Sequence, residues 1–281
     1  MHWIDRVKNV DRRVIYLLIL FAVAIPLLRP IGLPVDISPK AQSIYDLVEA
    51  LPNGATVMIS FDYDPASRAE VHPMAEAIVE HCIRRKLKIL APALWPQGPS
   101  MASEVFGKME KRHAGLSYGS DYAILGYFHG PTEGDPQVKA LMGNLTEAYP
   151  QDTRGNQVRD LPIIKSYRGP EDLGIVISLS AGDPGVLAWV RQGVSNYQIK
   201  LAAGSTAVQT PQFTPYINAG QMVGLLGGLK GAAEYEKLVG VKGLGTSGMD
   251  AQSIAHLVIM LFILLANFVY VYENFVLKRK V

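Results

Sequence analysis

Cysteine is almost absent: Cys82 is the single one in 281 residues. No intrachain disulfide can form, which excludes a disulfide-stapled scaffold. Charge is also scarce, with Asp, Glu, Lys and Arg making up 19% of the chain against about a quarter in soluble domains. Hydrophobic residues, at 49%, supply ample material for a core, which excludes a mostly disordered chain. The 26 glycines show no triplet period, so a collagen-like chain is excluded too. No His-x-x-x-His or Cys-x-x-Cys spacing occurs, and His72 and His81, nine apart, do not share a helix face at ligand spacing. Ser60, Ser178 and Ser180 lie outside a Gly-x-Ser-x-Gly elbow. Neither an internal repeat nor a low-complexity segment is present.

What the chain does have is apolar sequence concentrated near its two ends. Residues 14–28 carry no charge, and residues 254–272 carry no Asp, Glu, Lys or Arg. A membrane span needs about 20 apolar residues. The second run reaches that length. The first does so only if Arg29 snorkels and the stretch continues to Val35. No small-x-small cleavage pattern follows the first run, which reads as an uncleaved anchor rather than a signal peptide. The expected organisation is a basic tail over 1–13, a first span over 14–35, an α/β domain over 36–239, a Gly-rich linker over 240–252, a second span over 253–273, and a basic tail over 274–281.

Charge asymmetry gives these spans a direction. Arg6, Lys8, Arg12 and Arg13 precede the first; Lys278, Arg279 and Lys280 follow the second. The inner flanks hold only Arg29, Lys40 and Lys242. The positive-inside rule then puts both termini in the cytoplasm and the domain outside it. Trp3, Tyr16, Tyr270 and Tyr272 fall at the same expected interface. Residues 30–252 carry 19 Lys and Arg against 22 Asp and Glu, a net charge of −3. The basic excess thus sits beside the membrane, where anionic lipid accounts for it better than nucleic acid.

Between the spans, short apolar runs at 56–61, 88–91, 122–127, 174–179 and 199–203 alternate with helical patterns. The clearest helix has Val71, Met74, Ala75, Ile78, Val79, Cys82 and Ile83 at spacings of three and four. Five strands alternating with helices predict a mostly parallel, doubly wound sheet of Rossmann or flavodoxin type. Ligands in such sheets bind beyond the carboxyl ends of the strands. The candidate ligand-binding residues there are Asp62 and Asp64 after the first strand, Ser180, Gly182 and Asp183 after the fourth, and Gly204, Ser205 and Thr206 after the fifth. No cofactor and no metal site is expected.

Two further features point to contacts. Gly220, Gly224, Gly227, Gly228 and Gly231 recur at threes and fours inside an expected helix over 215–239. Each glycine costs a helix about 1 kcal/mol relative to Ala, so the stripe implies close approach to a sheet, a helix or another subunit. Asn267 places an amide inside the second span, where it calls for a partner.

Phe61-Asp62-Tyr63-Asp64 resembles the strand-end Asp-x-Asp of haloacid-dehalogenase-type phosphatases, which implies a nucleophilic Asp62, an acid/base Asp64 and a magnesium ion. The likeness covers four residues, and Ala66 departs from the family's Thr or Val. Phe61-Asp62-Tyr63-Asp64-Pro65, Lys200-Leu201-Ala202-Ala203-Gly204 and the Gly-Leu-Lys-Gly-Ala-Ala-Glu-Tyr-Glu run ending at Glu236 resemble a family of bacterial membrane-anchored proteins with no assigned function. That resemblance implies a bacterial envelope setting and supplies no activity.

Three readings follow. One is a non-enzymatic, membrane-anchored subunit of an envelope complex, with the domain self-associating or binding partner proteins in a homo-oligomer or larger assembly. The second is a ligand-sensing domain using the strand-end loops. The third is a metal-dependent hydrolase at Asp62 and Asp64.

Overall fold

The computed structural model describes residues 10–128 and 135–277. Trp3, Arg6, Lys8, Lys278, Arg279 and Lys280, on which part of the charge argument rests, lie outside them. The chain falls into two compact units: Val35–Gly245, and the terminal stretches Met1–Pro34 with Thr246–Val281.

The larger unit is an α/β fold with a six-stranded parallel sheet. The strands are β1 (Thr56–Asp62), β2 (Lys88–Ala93), β3 (Tyr122–Tyr127), β4 (Leu173–Ser180), β5 (Leu201–Ser205) and β6 (Gly224–Gly227). Their order is β3-β2-β1-β4-β5-β6. Chain order therefore reverses between β1 and β4, which pair along most of their length. Strand side chains alternate faces, so each strand feeds two cores. Val57, Ile59 and Phe61 of β1 and Ile175, Ile177 and Leu179 of β4 join one core; Met58 and Val176 join the other.

The first core is covered by three helices before β3 and one after β6. These are α2 (Pro39–Ala50), α3 (Arg68–Arg84), α4 (Gly98–Arg112) and α8 (Gly228–Val239). The preceding helix, α1 (Arg12–Leu28), belongs to the other unit. The second core is covered by α5 (Asp135–Gly143), α6 over residues 186–197 and α7 (Thr210–Asn218). Within α6, Trp189–Val194 is π-helical. Helices on both faces of a parallel sheet make the domain doubly wound. Ser38 caps α2, its hydroxyl accepting from the Ala41 N–H at 3.3 Å, with Pro39 at the first position. Arg84, the last residue of α3, donates to the carbonyl of Val239 at the end of α8 at 2.8 Å.

The sixth strand corrects the expected helix over 215–239. That segment splits into α7, the turn at Gly220, β6 and α8. Gly220 and Gly228 have φ of +72° and +56°, a region open to glycine at little cost. A Cβ on Gly224 would lie 2.3 Å from the Lys40 carbonyl oxygen, and one on Gly231 would lie 2.8 Å from the Leu226 backbone. Close approach is what these glycines allow, but within one chain: β6 against α2, and α8 against β6. A helix carrying all five does not exist, because an edge strand intervenes.

The terminal unit contains α1 (Arg12–Leu28) and α9 (Leu244–Val271), the latter continuing in π-helical geometry over Tyr272–Leu277. Over Leu244–Phe275, α9 is long and apolar enough to cross a membrane, and it is the one such helix among the described residues. Residues 240–252, expected as a linker, are helical from Leu244. At 17 residues, α1 rises about 26 Å, short of a hydrocarbon layer of about 30 Å. It ends at Leu28, and residues 29–38 do not continue it toward Val35 as a helix. Asp250, 1% exposed, accepts from the backbone N–H groups of Ile31 (2.8 Å), Gly32 (2.7 Å) and Leu33 (2.9 Å). Val10 and Ile15 share a groove with Leu265, Ala266 and Val269. The two helices therefore run antiparallel.

Candidate functional site

Reversal of strand order opens the position where doubly wound sheets bind ligands. The sequence places Asp62 there. It is the last residue of β1, its Cα partner on β4 is Ser180, and the partner of Ser180 on β5 is Ser205. Period-two alternation aims Ser60 and Asp62 to the same side, and Ser178 likewise. Asp62 Oδ1 accepts from Ser60 Oγ (2.7 Å) and the Leu94 N–H (2.8 Å); Oδ2 accepts from Ser178 Oγ (3.1 Å). The carboxylate is fully buried. Burial pushes its pKa up to about 6, against the opposing pull of the Leu94 N–H and the two serine hydroxyls.

The surrounding loops close on themselves. Asp64 accepts from the N–H and hydroxyl of Ser67 at 3.1 and 3.0 Å, forming the turn into α3. Ser180 Oγ donates to the Gly182 carbonyl at 2.9 Å, and Asp183, exposed, precedes a cis peptide bond to Pro184. The Trp95 indole N–H donates to the Pro184 carbonyl at 2.7 Å, and its ring lies so near Gly182 that a Cβ there would be 2.7 Å away. A Cβ on Gly98 would fall 2.0 Å from the Phe61 carbonyl oxygen, so α4 begins pressed against the end of β1. On β5, Ser205 Oγ lies 3.2 Å from Thr210 Oγ1, and the Thr206 carbonyl accepts from Thr210 Oγ1 at 2.9 Å. Gly204 faces Leu179 and Met74, where a Cβ would come within 2.8 Å.

Of the sequence candidates, Asp62, Ser180, Gly182, Asp183, Gly204, Ser205 and Thr206 thus share the carboxyl edge of three adjacent strands. Asp64 is turned into its own loop. In this arrangement Asp62 offers no exposed oxygen to a phosphoryl group, and Asp64 does not stand beside it as an acid. Among the described residues no group of three or more His, Cys, Asp or Glu side chains is placed to hold a metal ion. Leu94 and Trp95, which close this edge, carry no motif in the sequence. Ser60 and Ser178 were visible as strand residues, but only the pairing of β1 with β4 brings them to one carboxylate.

Two histidines are buried elsewhere in the domain. His81 Nδ1 is 2.9 Å from the Tyr235 hydroxyl and Nε2 is 2.9 Å from Glu49 Oε1, while its ring stacks on Tyr45. Burial holds its pKa below the ordinary value, and the His81 hydrogen bond lowers that of Glu49. His72 Nδ1 lies 2.9 Å from the Tyr63 hydroxyl. Cys82, fully buried, has its thiol pushed up to about 12 by desolvation and is not a reactive thiolate.

No protein-family model matches the chain, and no curated protein or solved structure matches it.

Proposed function

We propose that the chain is a membrane-anchored, non-enzymatic subunit whose α/β domain presents surfaces, rather than a cavity, to itself or to partner proteins. The observation that carries this reading is α9: an apolar helix over Leu244–Phe275 with almost all its side chains exposed. Leu257, Leu261 and Leu264 are each about two-thirds exposed, an arrangement that lipid favours and water does not. The strand-order reversal adds support, because Asp62 is saturated by the protein's own donors and Trp95 packs on the adjoining loop. In this reading both apolar helices cross a bacterial cytoplasmic membrane, α1 with local bilayer thinning. Both termini are then cytoplasmic and the domain lies outside.

Alkaline carbonate extraction of membranes containing the full chain tests the anchor. The protein is expected to stay in the membrane pellet, and a variant with Leu257, Leu261 and Leu264 all changed to Lys is expected to leave it. Release of the wild-type chain would remove the basis of the proposal.

A further inference from the structure

Asn267 and His256 stand on the side of α9 turned away from α1. Eleven residues are about three helical turns, so the two share one azimuth. Met260 and Ile263 lie between them on the same line, completing spacings of four, three and four. All four side chains are exposed, with Met260 and Ile263 each at 54%. The face toward α1 is different. Ala251 and Val269 are buried, and Phe262, Leu265, Ala266, Val269 and Tyr270 line the groove shared with Val10 and Ile15. Asn267 therefore cannot reach the first helix.

We infer that this face of α9 is the contact between two copies of the chain, packed in parallel with Asn267 facing Asn267 across a two-fold axis. The inference rests on the membrane reading above. An amide in hydrocarbon requires a group that both donates and accepts. Lipid tails provide neither, and α1 lies on the opposite side. A second copy inserted the same way brings an identical amide to the same depth, and a carboxamide is complementary to itself. The alternation of four and three is the repeat that two-stranded, left-handed helix pairs require, and a single Asn within that repeat fixes register. His256 marks the same line one registered interval away, so the imidazole and the amide of the apolar stretch both fall on the seam.

Disulfide trapping in native membranes tests the seam with the full-length chain. Cys82 is retained, since it is fully buried. Met260→Cys and Ile263→Cys sample the seam; Leu257→Cys and Leu261→Cys, about equally exposed, sample another face. A copper-catalysed oxidant is expected to give a chain-to-chain dimer at 260 and 263 and little at 257 and 261. Adding Asn267→Leu is expected to weaken association about 3- to 30-fold and reduce the adduct accordingly. Adducts strongest at 257 and 261, equal at all four positions, formed with a different protein, or missing from chains that resist carbonate extraction would overturn the pairing while leaving the anchor intact. Chains that do not resist extraction would overturn the pairing and the membrane reading together.

Discussion

Asp62 of β1 accepts a hydrogen bond from the hydroxyl of Ser178 of β4, at 3.1 Å, across the line where strand order reverses. The crossing is the place where a doubly wound sheet leaves room for a ligand. Here a carboxylate takes it, tied to both strands and to the Leu94 N–H. The chain uses its most acidic strand end as an internal junction, and the consequences can be measured.

Asp62 gives the fold a specific pH dependence. Its folded pKa, about 6, lies above the ordinary carboxyl value, so the fold favours the protonated form. That contribution is complete below about pH 4, falls as pH rises, and is lost above about pH 6; its full size is roughly 3 kcal/mol. In Asp62→Asn the amide oxygen still accepts from Ser60 and Leu94, and its NH₂ can donate to Ser178. Denaturation of the detergent-solubilised full chain by urea, followed by circular dichroism, is expected to show wild-type stability falling relative to Asp62→Asn between pH 4 and 6. Parallel profiles would contradict the buried position of the carboxylate.

The glycines of the edge strand separate two kinds of constraint. Gly224→Ala drives a methyl against the Lys40 carbonyl and Ile44, and should destabilise the domain by about 1–3 kcal/mol. Gly220→Ala meets nothing within 4 Å but must hold a φ of +72°, costing about 1 kcal/mol. The same urea titration reads both. If Gly224→Ala proves harmless while lowering the mass of an assembly in mild detergent, the glycine faces another subunit instead of α2.

Asp250 holds three amides at once, and its loss should free them. In Asp250→Ala the N–H groups of Ile31, Gly32 and Leu33 lose their acceptor, and a net bond to a charged group contributes about 1.5–3 kcal/mol. Hydrogen–deuterium exchange of a peptide covering residues 30–35 should accelerate at least about tenfold. Unchanged exchange would mean that the amides are held by something other than this carboxylate.

Much of the fold was legible because strands and helices announce themselves through periodicity. The runs at 56–61 and 122–127 carry their β-character openly, and the 3–4 spacing of Val71 to Ile83 marks α3 without ambiguity. β6 was hidden because Gly224-Leu225-Leu226-Gly227 is four residues long and flanked by glycines that also fit a helix repeat. Nothing local distinguishes a stripe of small residues on a helix from an edge strand pressed against α2; the distinction comes from Lys40 and Ile44, some 180 residues away in sequence. The candidate edge of the sheet was readable for the same reason as the strands, since Asp62, Ser180 and Ser205 end three of them. What Asp62 does there was not readable, because Ser178 and Leu94 reach it only through sheet order. Asp250 escaped notice in a stretch whose glycines suggested a linker, because its partners Ile31, Gly32 and Leu33 lie near the other end of the chain.

The central claim is that the α/β domain lies outside the cytoplasm, held by apolar helices. Labelling of Val208→Cys tests it most directly. Val208 is 89% exposed on the domain, whereas native Cys82 is fully buried and silent. A membrane-impermeant maleimide added to intact bacterial spheroplasts should label Val208→Cys as fully as it does after lysis, while a cysteine appended after Val281 should label only after lysis. Val208→Cys protected until lysis would contradict the account.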